Sequence, residues 1–289
     1  MTLRQTYQKG KMLLEKAGIE TPAFDAVCLF EKVFGMDRQK LMTHGMELAD
    51  GARAAAYWAL CETRAQGRPL QYILGEWPFM DFTLCVGEGV LVPREETELL
   101  VYTAAERLRV GSGAKGPWKG VDLCGGSGAV AIGLASLLPG LEISCAELYA
   151  DAFRFLEANV RRLASKAVHP ARLDVLSPES AAPFSGLDLV VSNPPYVEAG
   201  VIAGLQKEVQ QEPRTALDGG EDGLVFYRAI AQLWVPRLKP GGVAAVEIGE
   251  GQAQAVTELF QNAGVRGIEV RKDFNGLDRV VVGCFYPGP

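Results

Sequence analysis

The 289-residue sequence has no excess of basic residues and no long apolar segment, and each absence disfavours a class of protein. Its 29 Lys and Arg residues are outnumbered by 35 Asp and Glu residues, which gives a formal net charge of −6. Proteins that bind nucleic-acid phosphates usually carry a basic surface, so only a local patch could support such a partner here. The best apolar run, residues 129–138, is about half of the ~20 residues that a membrane-spanning helix requires.

The sequence is also poor in the residues that ligate metals or form disulfides. Its six cysteines are dispersed without a Cys-x-x-Cys pair, which favours buried, reduced thiols over disulfides or a metal site. Both histidines, His44 and His169, fit surface or turn positions, so we expect no metal. The N-terminal residues lack the apolar core of a secretory signal. We therefore expect a soluble, cytoplasmic protein.

Length and residue patterning predict an unequal division of the chain. About 150 residues per domain suggests roughly two domains. Apolar residues at helical spacing predict a helical domain at residues 1–68. Residues 69–93 are rich in aromatic and β-branched residues and are punctuated by Gly and Pro, which predicts a β-hairpin linker. Residues 94–289 form the third and largest part, which begins with a helix and a glycine-rich surface loop at residues 111–116.

The largest part alternates between strand-like and helix-like segments. Strands are predicted at residues 120–124, 141–147, 187–192 and 242–248, with helices at 129–138, 150–164, 222–238 and 252–263. Such alternation is typical of an α/β fold with an open, mostly parallel sheet and helices on both faces. Two closing strands, 267–272 and 279–285, are joined by a short loop, so the last strand should be antiparallel.

A glycine-rich loop follows the first predicted strand of this sheet. The residues Cys124-Gly-Gly-Ser-Gly128 lead directly into a helix, whose free N–H groups suit a nucleotide-type ligand. The spacing alone also fits a dinucleotide site, and Glu147 could bind ribose hydroxyls in either case. Asp122 favours the other interpretation, because a carboxylate repels pyrophosphate but attracts the cationic groups of S-adenosylmethionine.

A second motif, Asn193-Pro-Pro-Tyr196, ends the predicted strand at residues 187–192 and should lie at the same edge of the sheet as the glycine loop. The two prolines stiffen the loop and remove two N–H donors. The Asn193 side-chain oxygen and the Pro194 carbonyl remain as acceptors, and Tyr196 adds an aromatic face. Two convergent acceptors suit a planar NH₂ group and would orient its nitrogen toward a methyl donor.

Asn-Pro-Pro-Tyr in this position resembles the motif of amino-group methyltransferases that modify adenine, cytosine or glutamine. Further segments, at residues 68–79, 90–101 and 212–228, are similar to those of the peptide chain release factor glutamine N5-methyltransferases, the HemK family. The resemblance spans roughly residues 68–285. It implies a Rossmann-like class I methyltransferase sheet and an N-terminal helical domain that docks the protein substrate. It also implies methyl transfer from S-adenosylmethionine, with S-adenosylhomocysteine as product, to the glutamine of the Gly-Gly-Gln loop of bacterial class 1 release factors.

The resemblance also implies which residues form the site. For the cofactor it implies Cys124, Gly125, Gly126, Ser127, Gly128, Glu147, Asp174, Val175 and Asn193, to which the charge argument adds Asp122. For the target amide it implies Asn193, Pro194, Pro195 and Tyr196, of which Asn193, Pro194 and Tyr196 are the candidate catalytic residues. Arg94 and Glu98 are candidates for lining the substrate groove, and a helix-capping role fits them equally well.

Three positions depart from the pattern of the HemK family. Cys124 stands where the family usually has the first glycine of Gly-Thr-Gly-Ser-Gly, and Gly125 stands at the threonine. Glu147 is one methylene longer than the aspartate that often binds ribose. Val175 stands where some relatives have an aromatic residue beside the adenine. Of these, only the Cys124 substitution questions a cofactor contact.

Two related activities and one non-enzymatic role remain as alternatives. A ribosomal-protein glutamine methyltransferase shares similar motifs, although the amino-acid sequence of residues 93–98 and 212–220 favours the release factor enzyme. A DNA amino-methyltransferase normally needs a basic target-recognition region, which the net charge of −6 disfavours. A binding module without catalysis is disfavoured because two chemically specific loops converge on one edge.

Overall fold

The structure, a computed structural model, describes residues 1–112 and 116–288 and consists of two compact units. One unit comprises residues 1–76 together with 206–211, and the other comprises the described residues of 77–205 and 212–288. Of the surface loop expected at residues 111–116, residues 113–115 lie outside the described residues, and the preceding helix extends to Ser112. Within the described ranges, no helix is long and apolar enough to span a membrane.

The first unit is helical, as its sequence pattern predicts. Its helices are α1 (Leu3–Lys16), α2 (Pro22–Phe34), α3 (Arg38–His44), α4 (Gly51–Ala65) and α5 (Leu70–Leu74). Thr2 caps α1, since its hydroxyl accepts from the Gln5 N–H while the Gln5 side chain accepts from the Thr2 N–H. Leu29, Phe30 and Tyr57 are fully buried, so the apolar faces of α2 and α4 form the core.

A buried ion pair also stabilises the helical unit. Nε of Arg64 on α4 donates to the Asp25 carboxylate on α2 at 2.6 Å, and both side chains are almost completely buried. The other arm of Arg64 donates to Glu208, which lies in the 206–211 segment assigned to this unit. The guanidinium therefore joins two helices and a distant chain segment.

The second unit contains a small hairpin and a seven-stranded sheet. The hairpin strands are β1 (Glu76–Phe79) and β2 (Phe82–Cys85). The sheet strands are β3 (Trp118–Leu123), β4 (Leu141–Ala146), β5 (Val168–Ala171), β6 (Leu187–Ser192), β7 (Leu238–Glu247), β8 (Val265–Lys272) and β9 (Asp278–Phe285). Their order is β5-β4-β3-β6-β7-β9-β8, and β9 runs in the direction opposite to the other six strands. The predicted parallel sheet with an antiparallel last strand is confirmed.

Helices cover both faces of this sheet. They are α6 (Glu96–Ser112), α7 (Ala129–Leu137), α8 (Ala150–Leu163), α9 (Pro178–Ala181), α10 (Val225–Ala229, continued by a π-helical turn to Trp234) and α11 (Ala253–Asn262). Strand β6 is buried along its whole length: Leu189 and Val191 pack into the core on one face, and Val190 packs into the core on the other. A strand covered on both faces is apolar at most positions, which explains the run Leu-Asp-Leu-Val-Val. Its one charged residue, Asp188, forms an ion pair with Lys239.

Two local elements differ from the sequence pattern. The segment expected to open the hairpin, residues 70–74, forms helix α5, which begins after Pro69 and ends at Gly75 in the left-handed region (φ 81°). These are ordinary helix boundary residues, and they outweigh the strand preference of Tyr72 and Ile73 between them. His169 is exposed, as expected, but it lies in strand β5 and not in a turn. The neighbouring Pro170 argued against a strand here, and this proline is tolerated because β5 is at the edge of the sheet.

Candidate active site

A cavity lies at the carboxyl ends of β3, β4 and β6. These three parallel strands are adjacent in the sheet, so the loops that follow them meet at one edge. The glycine loop follows β3, Glu147 follows β4 and Asn193 follows β6. The cavity is lined by all three. Further lining residues include Gly89, Leu91, Pro93, Arg94, Thr97, Leu173, Asp174, Val175, Leu176, Pro213, Thr215, Ala216 and Phe226.

The glycine loop is held in a strained but well-defined turn. Cys124, Gly126 and Gly128 have positive φ values of 59°, 54° and 85°. The Gly125 N–H donates to the Ala146 carbonyl at the end of β4, which fixes the loop against the neighbouring strand. Cys124 is therefore a non-glycine residue in the left-handed region, where glycine is favoured, and this accounts physically for the glycine that the HemK family usually has there.

Gly125 and Gly126 differ in what a methyl group would meet. A Cβ at Gly125 would lie 2.2 Å from the Cys145 sulfur, whereas a Cβ at Gly126 would meet nothing within 4 Å. Because Gly126 lines the cavity, its open side is space that a ligand could use. Gly125 packs against protein, and Gly126 faces the ligand volume.

This difference predicts separate effects for two alanine substitutions. Gly125→Ala should lower the free energy of unfolding by about 1–3 kcal/mol through overpacking. Gly126→Ala should cost about 1 kcal/mol through its positive φ, and should weaken cofactor binding because the methyl group occupies the cavity. Urea denaturation and calorimetric titration with S-adenosylhomocysteine would measure the two quantities. Equal affinity for S-adenosylhomocysteine in Gly126→Ala and wild type would contradict the conclusion that Gly126 faces the ligand volume.

Asp122 is buried at the end of β3 and borders the cavity. Its Oδ2 accepts from the Ala131 N–H at 3.1 Å and from the Cys145 thiol at 3.4 Å. Its Oδ1 is buried and accepts no hydrogen bond from any described residue. Burial raises the Asp122 pKa to about 7, against the lowering effect of these two bonds. An unpartnered carboxylate oxygen on the cavity wall fits a cationic group of a ligand.

Glu147 follows β4 and is held by two backbone N–H groups. Its Oε2 accepts from Gly126 at 3.0 Å and its Oε1 accepts from Tyr149 at 2.8 Å. Burial raises the Glu147 pKa, and these bonds oppose the rise by stabilising the charged form. Each carboxylate oxygen keeps a second lone pair, so the side chain can still accept from two hydroxyl groups.

The Asn-Pro-Pro-Tyr loop is anchored to the strands beneath it. The Ser192 hydroxyl donates to the Leu123 carbonyl at 2.7 Å, joining the ends of β6 and β3. Asn193 Nδ2 donates to the Thr97 hydroxyl at 3.0 Å. Pro194 and Pro195 are buried, and the Tyr196 hydroxyl donates to the Glu247 carboxylate at 3.5 Å. The loop presents Asn193 and Pro195 to the cavity.

Most of the site residues proposed from the sequence meet in this one cavity. The proposed residues that line this cavity are Arg94, Asp122, Cys124, Gly125, Gly126, Ser127, Glu147, Asp174, Val175, Asn193 and Pro195. Gly128, Pro194 and Tyr196 lie beside it, next to lining residues. Glu98 is elsewhere: its carboxylate accepts from the Met80 N–H at 2.7 Å, in the hairpin turn.

Three residues of the site were not identified from the sequence as functional. Thr97 accepts a hydrogen bond from Asn193, and the buried Glu247 accepts one from Tyr196 and another from Thr97. Glu212 forms an ion pair with Arg94. The second oxygen of Glu212 accepts from the Val92 N–H at 3.1 Å, so this carboxylate holds two parts of the cavity wall. Glu212 opens the motif at residues 212–228, which was the available signal for it.

The fold and the cavity together define a class I methyltransferase: a seven-stranded sheet with an antiparallel last strand and a ligand site at the carboxyl ends of β3, β4 and β6. Family models described as PrmC N-terminal domain and Methyltransferase small domain match residues 5–75 and 97–231. The chain belongs to the release factor glutamine methyltransferase family. The expected fold class, enzyme class and family are confirmed.

Individual relatives support this assignment over nearly the full length. A release factor glutamine methyltransferase from Moorella thermoacetica is 36% identical, covering 99% of this chain and 98% of the relative. One from Geobacter sulfurreducens is 34% identical, covering 98% and 96%. Among solved structures, the hMettl16 catalytic domain superposes with a TM-score of 0.55 at 15% identity over 80% of this chain and 82% of that one, which shows a shared fold.

Proposed function

We propose that this enzyme transfers a methyl group from S-adenosylmethionine to the side-chain nitrogen N5 of the glutamine in the Gly-Gly-Gln loop of peptide chain release factors. The observation that carries the proposal is the placement of Asn193 on the wall of the same cavity as the glycine loop and Glu147. The choice of substrate is supported by relatives named release factor glutamine methyltransferase, one of which is 36% identical over 99% of this chain.

The residues of the cavity fit the proposed cofactor. Bound S-adenosylmethionine supplies an electrophilic methyl group and carries a cationic amino group and sulfonium. Asp122 has a free carboxylate oxygen for the cation, and Glu147 has free lone pairs for ribose hydroxyls. Gly126 leaves open space beside the loop. Asp174 and Val175 lie on the remaining wall, where we place the adenine.

The Asn-Pro-Pro-Tyr loop is proposed to hold the target amide. An amide nitrogen is a weak nucleophile because its lone pair is delocalised. Acceptance of its two N–H bonds by Asn193 and the Pro194 carbonyl would orient that nitrogen and stabilise the positive charge that develops on it. In the transfer, the C–N bond would form as the methyl–sulfur bond breaks. The methylated nitrogen would then lose a proton to water, so no side chain is required as a base.

The protein substrate needs a wider surface than the cavity. We propose that the helical domain, residues 1–68, docks the release factor, that residues 69–93 link it to the methyltransferase domain at 94–289, and that Arg94 contacts the substrate at the cavity. Arg94 is partly exposed while its partner Glu212 is almost fully buried, so the guanidinium is held at the surface. The enzyme is proposed to act in the cytoplasm, where release factors operate.

The proposal is tested by methyl transfer from labelled S-adenosylmethionine to four purified targets. These are a release factor, its Gln→Ala variant in the Gly-Gly-Gln loop, a ribosomal-protein substrate and duplex DNA. We expect label on the intact release factor alone. Undiminished label on the Gln→Ala variant would contradict the target atom, and preferential label on the ribosomal protein or on DNA would replace the proposed substrate with one of the alternatives.

A further inference from the structure

We infer that Thr97 and Glu247 are positioning residues that fix which end of the Asn193 amide faces the substrate. The inference rests on the proposed function, because it concerns how Asn193 receives the target amide. Asn193 follows β6, Thr97 lies in the first turn of α6 and Glu247 ends β7. The three side chains form one hydrogen-bonded chain at the wall of the cavity.

The geometry of this chain is continuous. Asn193 Nδ2 lies 3.0 Å from Thr97 Oγ1, and Thr97 Oγ1 lies 2.7 Å from Glu247 Oε2. Thr97 and Glu247 are nearly inaccessible to solvent, at 4% and 2% exposure. Water therefore does not compete for the hydroxyl, and its bonding is decided by the two side chains.

The direction of the bonds follows from counting donors. A threonine hydroxyl has one proton, and an ionised carboxylate can only accept, so Thr97 must donate to Glu247. The Thr97 oxygen can then only accept from Asn193, and only the NH₂ end of the amide can donate. The Asn193 Oδ1, which accepts no hydrogen bond from a described residue, is thereby left as the acceptor for an incoming N–H group.

The same count shows what protonation of Glu247 would do. A protonated carboxyl group can donate to the Thr97 oxygen, which frees the hydroxyl proton for Asn193 Oδ1. The amide would then turn its NH₂ group to the substrate, where it would face the N–H bonds of the target. The hydrogen-bonded chain therefore presents the Asn193 oxygen to the substrate only when Glu247 is ionised.

The surroundings of Glu247 make this change accessible near neutral pH. Burial raises the Glu247 pKa to about 7, and Glu96 adds to the rise, while Thr97, Arg279 and the Tyr196 hydroxyl oppose it. The hydroxyl of Tyr227 also faces this residue and donates to its backbone carbonyl at 2.9 Å. Since the ionised form orients Asn193, the rate should fall as the pH decreases through about 7.

The test compares four variants by single-turnover methylation of a release factor, with S-adenosylmethionine and release factor both saturating, between about pH 6 and pH 8. Saturation removes effects of pH on cofactor affinity. Thr97→Val should lower the rate about tenfold, and Thr97→Ser should restore it to within about twofold of wild type. Thr103→Val, at a second buried threonine of α6, is the matched control and should leave the rate and its pH dependence unchanged.

Glu247→Gln supplies the readout that a purely structural role would not change. Wild type and Thr103→Val should lose rate toward low pH, whereas Glu247→Gln should be slow with no step near pH 7. A Thr97→Val rate within about twofold of wild type, or an unchanged pH step in Glu247→Gln, would overturn the inference. Failure of the wild-type enzyme to methylate the release factor would instead contradict the proposed function.

Discussion

Alanine at position 193 is expected to lower the rate of methyl transfer about 10²–10³-fold, which is the usual effect of removing one group that stabilises developing charge. Asn193 combines two proposed roles, since it lines the cofactor cavity and offers its side-chain oxygen to the target amide. Without that oxygen, the amide nitrogen loses both its orientation and the acceptor that stabilises its positive charge. The measurement is kcat with saturating release factor and S-adenosylmethionine.

The Asn193→Ala variant should remain folded, because the loop is anchored by other atoms. The bond from Ser192 to the Leu123 carbonyl and the bond from Gln252 to the Tyr196 carbonyl do not involve the Asn193 side chain. Asn275→Ala, in the exposed loop between β8 and β9, is the control and should keep the wild-type rate. A rate for Asn193→Ala within about twofold of wild type would show that the amide clamp is misassigned.

The main sheet could be predicted from the sequence because its central strands have little freedom. Strand β6 was predicted at its observed bounds, Leu187–Ser192, since burial on both faces leaves a mostly apolar segment, interrupted by Asp188. Helices α7, α8 and α11 were predicted to within about one residue at each end. The apolar residues of α8 and α11 repeat at helical spacing, whereas α7 is a continuous apolar segment that directly follows the glycine loop. These elements also placed the glycine loop and the Asn-Pro-Pro-Tyr loop at one edge.

The elements that were missed lie where local sequence preferences conflict. Strand β5 contains Pro170, which argues against a central strand and is acceptable only at the sheet edge that β5 occupies. Helix α3, Arg38–His44, is seven residues long, too short to show a clear periodicity. Its N-cap Asp37, whose carboxylate accepts from the Lys40 N–H, was the available signal.

The supporting contacts of the site could not be predicted from the sequence. Thr97 and Glu247 are separated by 150 positions, and Arg94 and Glu212 by 118, so no local spacing relates them. Each pair meets only because the sheet brings distant segments to one edge. The prediction for Glu98 illustrates the same difficulty, since its neighbourhood in the motif suggested the groove, while its carboxylate contacts the hairpin turn at Met80.

Asparagine at position 122 is expected to weaken the binding of S-adenosylmethionine about a hundredfold, within the 2–5 kcal/mol that truncation of a buried charge partner usually costs. The substitution preserves shape and keeps one acceptor oxygen, so it removes mainly the negative charge. That charge has no counterion among the described residues, because Asp122 contacts only the Ala131 N–H and the Cys145 thiol, and Oδ1 is unpartnered. No other cation in the described parts of the chain therefore reduces the attraction between the Asp122 carboxylate and a cationic ligand. Calorimetric titration of the wild-type and variant enzymes measures the difference.

The pH dependence of binding distinguishes this charge from the rest of the cavity. Burial raises the Asp122 pKa to about 7, with Glu147 contributing repulsion, and a cationic ligand prefers the ionised carboxylate. Wild-type affinity should therefore fall by up to about tenfold per pH unit as the pH decreases below about 7. Asp122→Asn should show no such step in affinity. Glu147→Gln should bind the ligand more weakly, because Glu147 is proposed to accept from the ribose hydroxyls, but it should keep the pH step, because Asp122 is still present. A step that persists in Asp122→Asn would assign the titrating group elsewhere and remove the electrostatic reason for preferring S-adenosylmethionine over a dinucleotide.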